Sequence, residues 1–274
     1  MKHLFDKFWH KTLGVPYTLS VREYRTVRKA KHTLVFLHGI GSSGAAWSGV
    51  VSRLVNQPVN IVVLDLLGFG DSPRPAWAKY DAKTQARAVN KTVALKIRTR
   101  SAVLVGHSMG SLVAIECAKR SRRYSGLLLA SPPLYDDKTD KYLPDRDRQL
   151  VKLYDMMTRH PKRIVKISAI ARKYGLIGHA FDVTESTVGE YIAALKAAII
   201  NQTSLVDIKL LKLPIRIVYG TLDPLVIGSH IRSLNKERSN VTVKSFLGSH
   251  DVEGRYVTVI IKHINEFLAE LTRR

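Results

Sequence analysis

The sequence predicts an α/β protein: a mostly parallel central sheet flanked by helices and interrupted by one helical insertion. Three observations predict it. Short apolar runs alternate with segments of helical period from residue 33 to about 131, and again from 214 to the end. That alternation lapses between 134 and 207, where the chain is basic and reads as helical without a convincing buried strand. Glycine-rich turns close the apolar runs where a strand hands over to a helix.

Taken in order, residues 33–37 (TLVFL) form the first β-rich run, ending at His38-Gly39. Residues 45–56 fit a helix, with Trp47, Val50, Val51 and Leu54 on one face. Residues 60–65 are the next strand, closed by the turn LLGFGDSPRP, and a polar helix follows from Asp81 to Ile97. Strand 101–106, helix 111–121 and strand 126–131 come next, the last stopped by Pro132-Pro133. After the lapse come strand 214–220, a helix near 226–238, strand 241–246 and a final helix over 254–272. Val257, Ile260, Ile261, Ile264, Phe267, Leu268 and Leu271 give that last helix one broad apolar face. The expected division is a core of residues 1–133 and 208–274 with an inserted helical unit over 134–207.

The chemistry centres on Gly106-His107-Ser108-Met109-Gly110, which leaves a strand and opens a helix. A serine between glycines at such a junction sits on a tight turn, with its hydroxyl exposed at the helix N-terminus. There the Met109 N–H is free to stabilise an oxyanion. The segment His38-Gly39-Ile40-Gly41 ends another strand and offers Ile40 N–H as a second donor. It lacks the Gly-Lys-Ser/Thr ending of a phosphate-binding loop. His38 reads as an anchor of this loop rather than a base.

A serine hydroxyl needs a base, and the base needs an orienting acid. Asp223 lies just past strand 214–220 in the turn Gly220-Thr221-Leu222-Asp223-Pro224. The comparable position after strand 126–131 is Ser131, and Asp136 and Asp137 lie further into the insertion as weaker alternatives. His250 follows strand 241–246 on a loop, whereas His230 and His263 fall inside helices. Asp251 beside it reads as solvated or as a helix cap. No H-E-x-x-H or cysteine cluster suggests a metal, and no cofactor motif stands out.

Length and composition bound the reading. A chain of 274 residues with 45% hydrophobic and 24% charged residues suits one globular α/β unit. No apolar stretch reaches membrane-spanning length, the N-terminus lacks the apolar core of a secretory signal, and Cys117 is the single cysteine, so a cytoplasmic location is expected. The excess of 44 Lys+Arg over 22 Asp+Glu, a formal +22, attracts polyanions but is spread along the chain. No nucleic-acid module is recognisable. Residues 2–13 carry Leu4, Phe5, Phe8 and Trp9 with Lys2, Lys7 and Lys11. They form either a helix docked on the protein's own body or a basic amphipathic helix lying on anionic membrane.

With Ser108, Asp223 and His250 in that order, the chain resembles the α/β-hydrolase superfamily from about residue 31 to the end. Asp65-Leu66-Leu67-Gly68-Phe69-Gly70-Asp71-Ser72 is similar to the family's D-x-P-G-x-G-x-S turn, with Leu67 in place of proline. Ser111 stands where many relatives have a second glycine, and His250 is followed by Asp-Val instead of a proline-containing run. The N-terminal hairpin of the family is hard to see in residues 15–30. The resemblance implies an α/β-hydrolase fold in which 134–207 caps the active site. This cap is basic, through residues such as Lys138, Arg146, Lys152, Arg163 and Lys173. Leu150, Leu153, Tyr154 and Met157 either line its roof or pack on the core. The resemblance implies ester hydrolysis of a small or medium acyl substrate through an acyl-enzyme. Carbon–carbon bond hydrolysis of a vinylogous diketone, thioester or lactone cleavage, and an idle hydrolase-fold binding protein remain as alternatives.

Overall fold

The computed structural model describes residues 2–97, 101–134, 156–173 and 178–273. Its centre is one seven-stranded sheet of β1 (Val21–Arg25), β2 (Thr33–Leu37), β3 (Asn60–Leu64), β4 (Ala102–His107), β5 (Tyr124–Ala130), β6 (Ile215–Gly220) and β7 (Val241–Phe246). The spatial order is β1-β3-β2-β4-β5-β6-β7. Only β1 runs antiparallel, against β3; every other pairing is parallel. Every residue of β2, β3, β4 and β6 is buried. Strands covered on both faces carry continuous apolar runs instead of alternating ones, which is why the sequence announces them clearly. By contrast β1 is an edge strand with three exposed residues, in the stretch where the family's hairpin is hard to see in the sequence.

Helices cover both faces. On one side α2 (Ala82–Lys96), α3 (Met109–Arg120) and α6 (Gly228–Glu237) press Val89, Leu112, Ile115, Ile231 and Leu234 onto the sheet. Asp81 caps α2, accepting Thr84 N–H at 2.7 Å, which accounts for its start. On the other side α7 (Arg255–Arg273) lays down Tyr256, Ile260, Ile264 and Phe267. Beside it, residues 44–54 form one run of alternating 3-10 and α turns, and Trp47, Val50, Val51 and Leu54 are buried together as their spacing requires. Burying a side chain such as Phe36 or Leu34 contributes about 1.5–3 kcal/mol.

Within the 134–207 stretch the described elements include α4 (Pro161–Lys173), α5 (Val188–Ala194), which continues as a wider turn over Leu195–Ile200, and a single helical turn over Ser204–Asp207. Met157 is half-buried against the larger core. Asp136, Asp137, Lys138, Lys141, Arg146, Arg148, Leu150, Lys152, Leu153 and Tyr154 lie outside the described residues. At the N-terminus α1 (Lys2–Lys7) runs into a wider turn, Phe8–Thr12. No helix among the described residues is long and apolar enough to cross a membrane.

Register aligns the strand ends that matter. Leu37 pairs with Gly106, His107 with Ala130, Ala130 with Val218 and Gly220 with Phe246. The residues that follow β2, β4, β6 and β7 therefore emerge at one end of the sheet, the usual location of ligand sites in open α/β folds.

Candidate active site

Ser108 sits between β4 and α3 with φ 51° and ψ −123°, a conformation that costs an L-residue roughly 1–3 kcal/mol. The surroundings enforce it. Ser108 N–H donates to Ala130 O at 2.9 Å, and Ser111 N–H donates to Ser108 O at 2.9 Å. Strand and helix approach so closely that a Cβ on Gly110 would stand 2.3 Å from Leu37 O, and one on Gly106 would meet Gly110 O at 2.5 Å. Glycine at both positions is thus a steric requirement. The departure at Ser111 has a purpose as well. Its buried hydroxyl donates to Gly106 O at 2.8 Å and lies 3.3 Å from Ala130 O, tying the first turn of α3 to β4 and β5.

Asp223 and His250 meet across the ends of β6 and β7. His250 Nδ1 is 2.7 Å from Asp223 Oδ2, with the carboxylate fully buried and the imidazole half-buried. Burial works to raise the Asp223 pKa. The hydrogen bond and charge of His250, the Ser131 hydroxyl and the Leu225 N–H outweigh it, and the carboxyl ends below its ordinary value. Leu225 N–H reaches Asp223 Oδ1 at 2.9 Å, so both carboxylate oxygens are occupied. A charged carboxylate on Nδ1 fixes the tautomer and leaves Nε2 to accept a proton. No hydrogen bond joins Ser108 Oγ to His250 among the described residues. The two are linked instead through His107, whose Nε2–H donates to His250 O at 2.9 Å.

His107 was not singled out in the sequence. Its ring lies 4.8 Å from that of His250, and burial, followed by the His250 charge, lowers its pKa to about 3. It is therefore a neutral donor that holds the His250 loop against the serine turn. Ser131, read in the sequence only as the absence of a carboxylate, is fully buried with φ 47° and lies 3.0 Å from Tyr256 Oη beside Asp223. Neither role has a sequence signal, because each depends on contacts between residues more than 85 positions apart.

The loop after β2 is anchored by His38. His38 Nδ1–H donates to Gly39 O at 2.7 Å, and its Nε2 accepts Leu66 N–H at 2.9 Å. With both nitrogens engaged and its pKa lowered by burial to about 4, His38 is an anchor and not a base. The amide N–H groups of Ile40 and Met109 form no hydrogen bond among the described residues, leaving two donors near the serine turn. His230 contacts Leu134 O and His263 contacts Glu266, both within helices. Asp251 departs from expectation. It is half-buried against Gly178, and burial pushes its carboxyl up, so it is neither solvated nor a cap of α7.

The turn after β3 is held by Asp65. Its carboxylate accepts Gly44 N–H at 2.7 Å, Asp71 N–H at 2.9 Å and the Arg22 guanidinium at 3.2 Å. Leu67 in place of proline is explained by Gln85. That buried amide accepts Leu67 N–H at 2.9 Å and donates to Leu67 O at 2.8 Å, and proline would remove the first of these bonds.

Residues 34–253 match the alpha/beta hydrolase family. The chain belongs to that family. It is 30% identical over 124 residues to the probable lysophospholipase BODYGUARD 5 of Arabidopsis thaliana, a stretch covering 43% of this chain and 28% of that protein. The chain spans only about a quarter of the length of such plant relatives. It is 29% identical over 254 residues to the pimeloyl-[acyl-carrier protein] methyl ester esterase of Pseudoalteromonas atlantica, covering 86% of this chain and 92% of that one. Among solved structures it is similar to a thermophilic esterase from Thermogutta terrifontis, with TM-score 0.71 and 19% identity over 92% of this chain and 93% of that one. At that identity the structural match speaks for the fold alone.

Proposed function

We propose that this protein is a serine hydrolase that cleaves carboxylic esters of small or medium acyl groups through an acyl-enzyme. The observation that carries the reading is the 2.7 Å contact between His250 Nδ1 and buried Asp223, at the sheet end where Ser108 stands at positive φ. Support comes also from two relatives over most of their length, both named as methyl ester esterases of pimeloyl-[acyl-carrier protein]. Residues 134–207 act as a cap over the site in this reading.

Ser108 Oγ attacks the acyl carbon as its proton passes to His250 Nε2. The carbonyl becomes an oxyanion that takes hydrogen bonds from Ile40 N–H and Met109 N–H, each worth about 3–4 kcal/mol in the transition state. Asp223 stabilises the imidazolium without becoming protonated. The tetrahedral intermediate collapses, and the leaving alkoxide departs as an alcohol with the proton from His250. Water then attacks the acyl-Ser108 ester, giving its proton to His250. Release of the acid returns that proton to Ser108. The scheme uses only groups of this chain and water.

A fluorophosphonate probe reports an activated serine directly. Labelling of the wild type and its loss in Ser108→Ala, together with hydrolysis of p-nitrophenyl esters of graded chain length, is the expected result. A folded wild type that neither labels nor hydrolyses any ester, thioester or vinylogous diketone of the panel would overturn the proposal.

A further inference from the structure

The N-terminal helix divides into two sides. Its inner side is fastened to the body: Tyr17 Oη–H donates to Asp6 Oδ2 at 3.1 Å, and the His10 ring stacks on Tyr17 at 3.6 Å between centroids. His10 Nδ1–H reaches Val15 O at 2.6 Å, Lys91 Nζ donates to Pro16 O at 2.8 Å, and Arg87 donates to Gly14 O. The helix therefore cannot simply roll over to bury its other side. That other side carries Phe5 (65% exposed), Phe8 (52%), Trp9 (41%) and Leu13 (53%), with exposed Lys7 and Lys11 along its flank. Four large apolar side chains on one anchored surface are an unusual thing to leave in water, since scattered single ones are the norm.

From this geometry we infer that the face formed by Phe5, Phe8, Trp9 and Leu13 inserts into the headgroup boundary of an anionic phospholipid surface, with Lys7 and Lys11 on the lipid phosphates. The charge decides the occupant. A formal +22 repels a second copy of this chain and draws it to an anionic sheet. Aromatic and leucine side chains beside lysines form the pattern of helices that lie in the bilayer interface. Phe5 and Trp9 stack on each other at 5.8 Å and 14°, so their ring faces are partly taken and ill placed to receive nucleic-acid bases. Between the helix and the turn after β3 runs an open groove of about 590 Å³, walled by Trp9, Pro75 and Trp77 with Asp6, Arg74 and Lys91 at its edge. Apolar walls beside basic groups extend the same surface toward the body of the protein.

Flotation with vesicles of phosphatidylcholine and phosphatidylserine, and with phosphatidylcholine alone, tests this on the full chain. The wild type floats with the anionic vesicles. The triple variant F5A/F8A/W9A, which keeps every charge, binds at least tenfold more weakly, because burying each aromatic ring favours binding by more than that factor. K7E/K11E loses about 25-fold or more, at roughly fivefold per lysine charge. Tryptophan emission shifts to the blue on binding, and the shift falls sharply in W9F. Unchanged circular dichroism and unchanged hydrolysis of a soluble p-nitrophenyl ester establish that the variants fold. Equal flotation of the wild type and F5A/F8A/W9A would assign binding to the overall charge and overturn the inference. So would no flotation of a folded wild type, oligonucleotide binding without vesicle binding, or a dimer that dissociates in the triple variant.

Discussion

Acidification from pH 7 to pH 5 should cost this fold about 4 kcal/mol, through two histidines that flank the candidate site. His38 and His107 are buried, and burial lowers their pKa values to about 4 and about 3, against about 6.5 in the unfolded chain. The unfolded state therefore binds protons that the folded state refuses. Their contribution is complete above pH 6.5 and is lost as the pH falls toward the folded values. Between pH 7 and pH 5 each unfolded histidine gains about 2 kcal/mol by protonation, and this figure barely depends on the folded value while that value stays below the window. His32 and His263, also lowered by burial, add in the same direction. Asp251, pushed up by burial, takes its proton first in the fold and offsets part of the loss at the acid end. The Asp223 carboxylate is held down and withdraws its support only further into acid. Against a typical stability of about 5–15 kcal/mol, a loss of 4 is decisive. Urea unfolding at pH 7, 6 and 5 at constant ionic strength measures it. His107→Gln, which keeps an N–H donor for His250 O, should reduce the fall to about 2 kcal/mol. A wild type whose stability changes by less than about 1 kcal/mol across this window would refute the reasoning.

Two further expectations concern the acid and the turn after β3. Asp223→Asn keeps a hydrogen-bonding group near His250 Nδ1 but favours the wrong tautomer, so ester hydrolysis should fall about 10⁴-fold in kcat with KM little changed. Steady-state kinetics on a soluble ester checks this, and a rate within tenfold of wild type would count against Asp223. Leu67→Pro restores the family's residue yet removes the N–H that Gln85 accepts, leaving a buried acceptor unpaired at about 1–3 kcal/mol. A double-mutant cycle with Gln85→Leu should return part of that loss, and additive effects would show that the pair is not coupled.

Much of the fold was legible because its central strands are buried on both faces, so β2 and β3 appear as unbroken apolar runs. The serine turn was legible for a steric reason: Gly110 cannot carry a side chain against Leu37 O, and that constraint writes itself into five consecutive residues. Asp223 and His250 could be selected because each follows a strand end, and parallel register brings strand ends together. Other features could not be read in this way. The 45–56 segment is helical over 44–54, as its spacing suggests, but its alternation of 3-10 and α turns has no signal in the sequence. The β1 strand alternates poorly because only its pairing to β3 recommends it. His107 and Ser131 take their roles from loops and helices distant in sequence, and no local pattern distinguishes them from ordinary buried polar residues.

The inserted stretch and the loop after β2 are joined more closely than their separation in sequence suggests. Gly41 stands at φ 69°, and its carbonyl accepts Asp182 N–H at 2.7 Å. A Cβ there would lie 2.7 Å from the Phe181 ring and 3.0 Å from Tyr191, which themselves meet edge to face at 6.0 Å. Gly41 adjoins Ile40, the proposed oxyanion donor. If these contacts couple the two segments, movement of the Phe181–Tyr191 pair would reach, through one peptide, the amide that would receive the developing charge. A substrate that fits under this segment would set the donor correctly, while a poor fit would displace it. Acyl preference would then be expressed in kcat as well as KM, because only interactions stronger in the transition state than in the ground state change the chemical rate. Truncating Phe181 should therefore lower kcat for preferred esters more than for poor ones, narrowing the spread of rates across the ester panel. A uniform rise in KM at constant kcat would mean that the ring shapes the pocket and leaves the donor undisturbed.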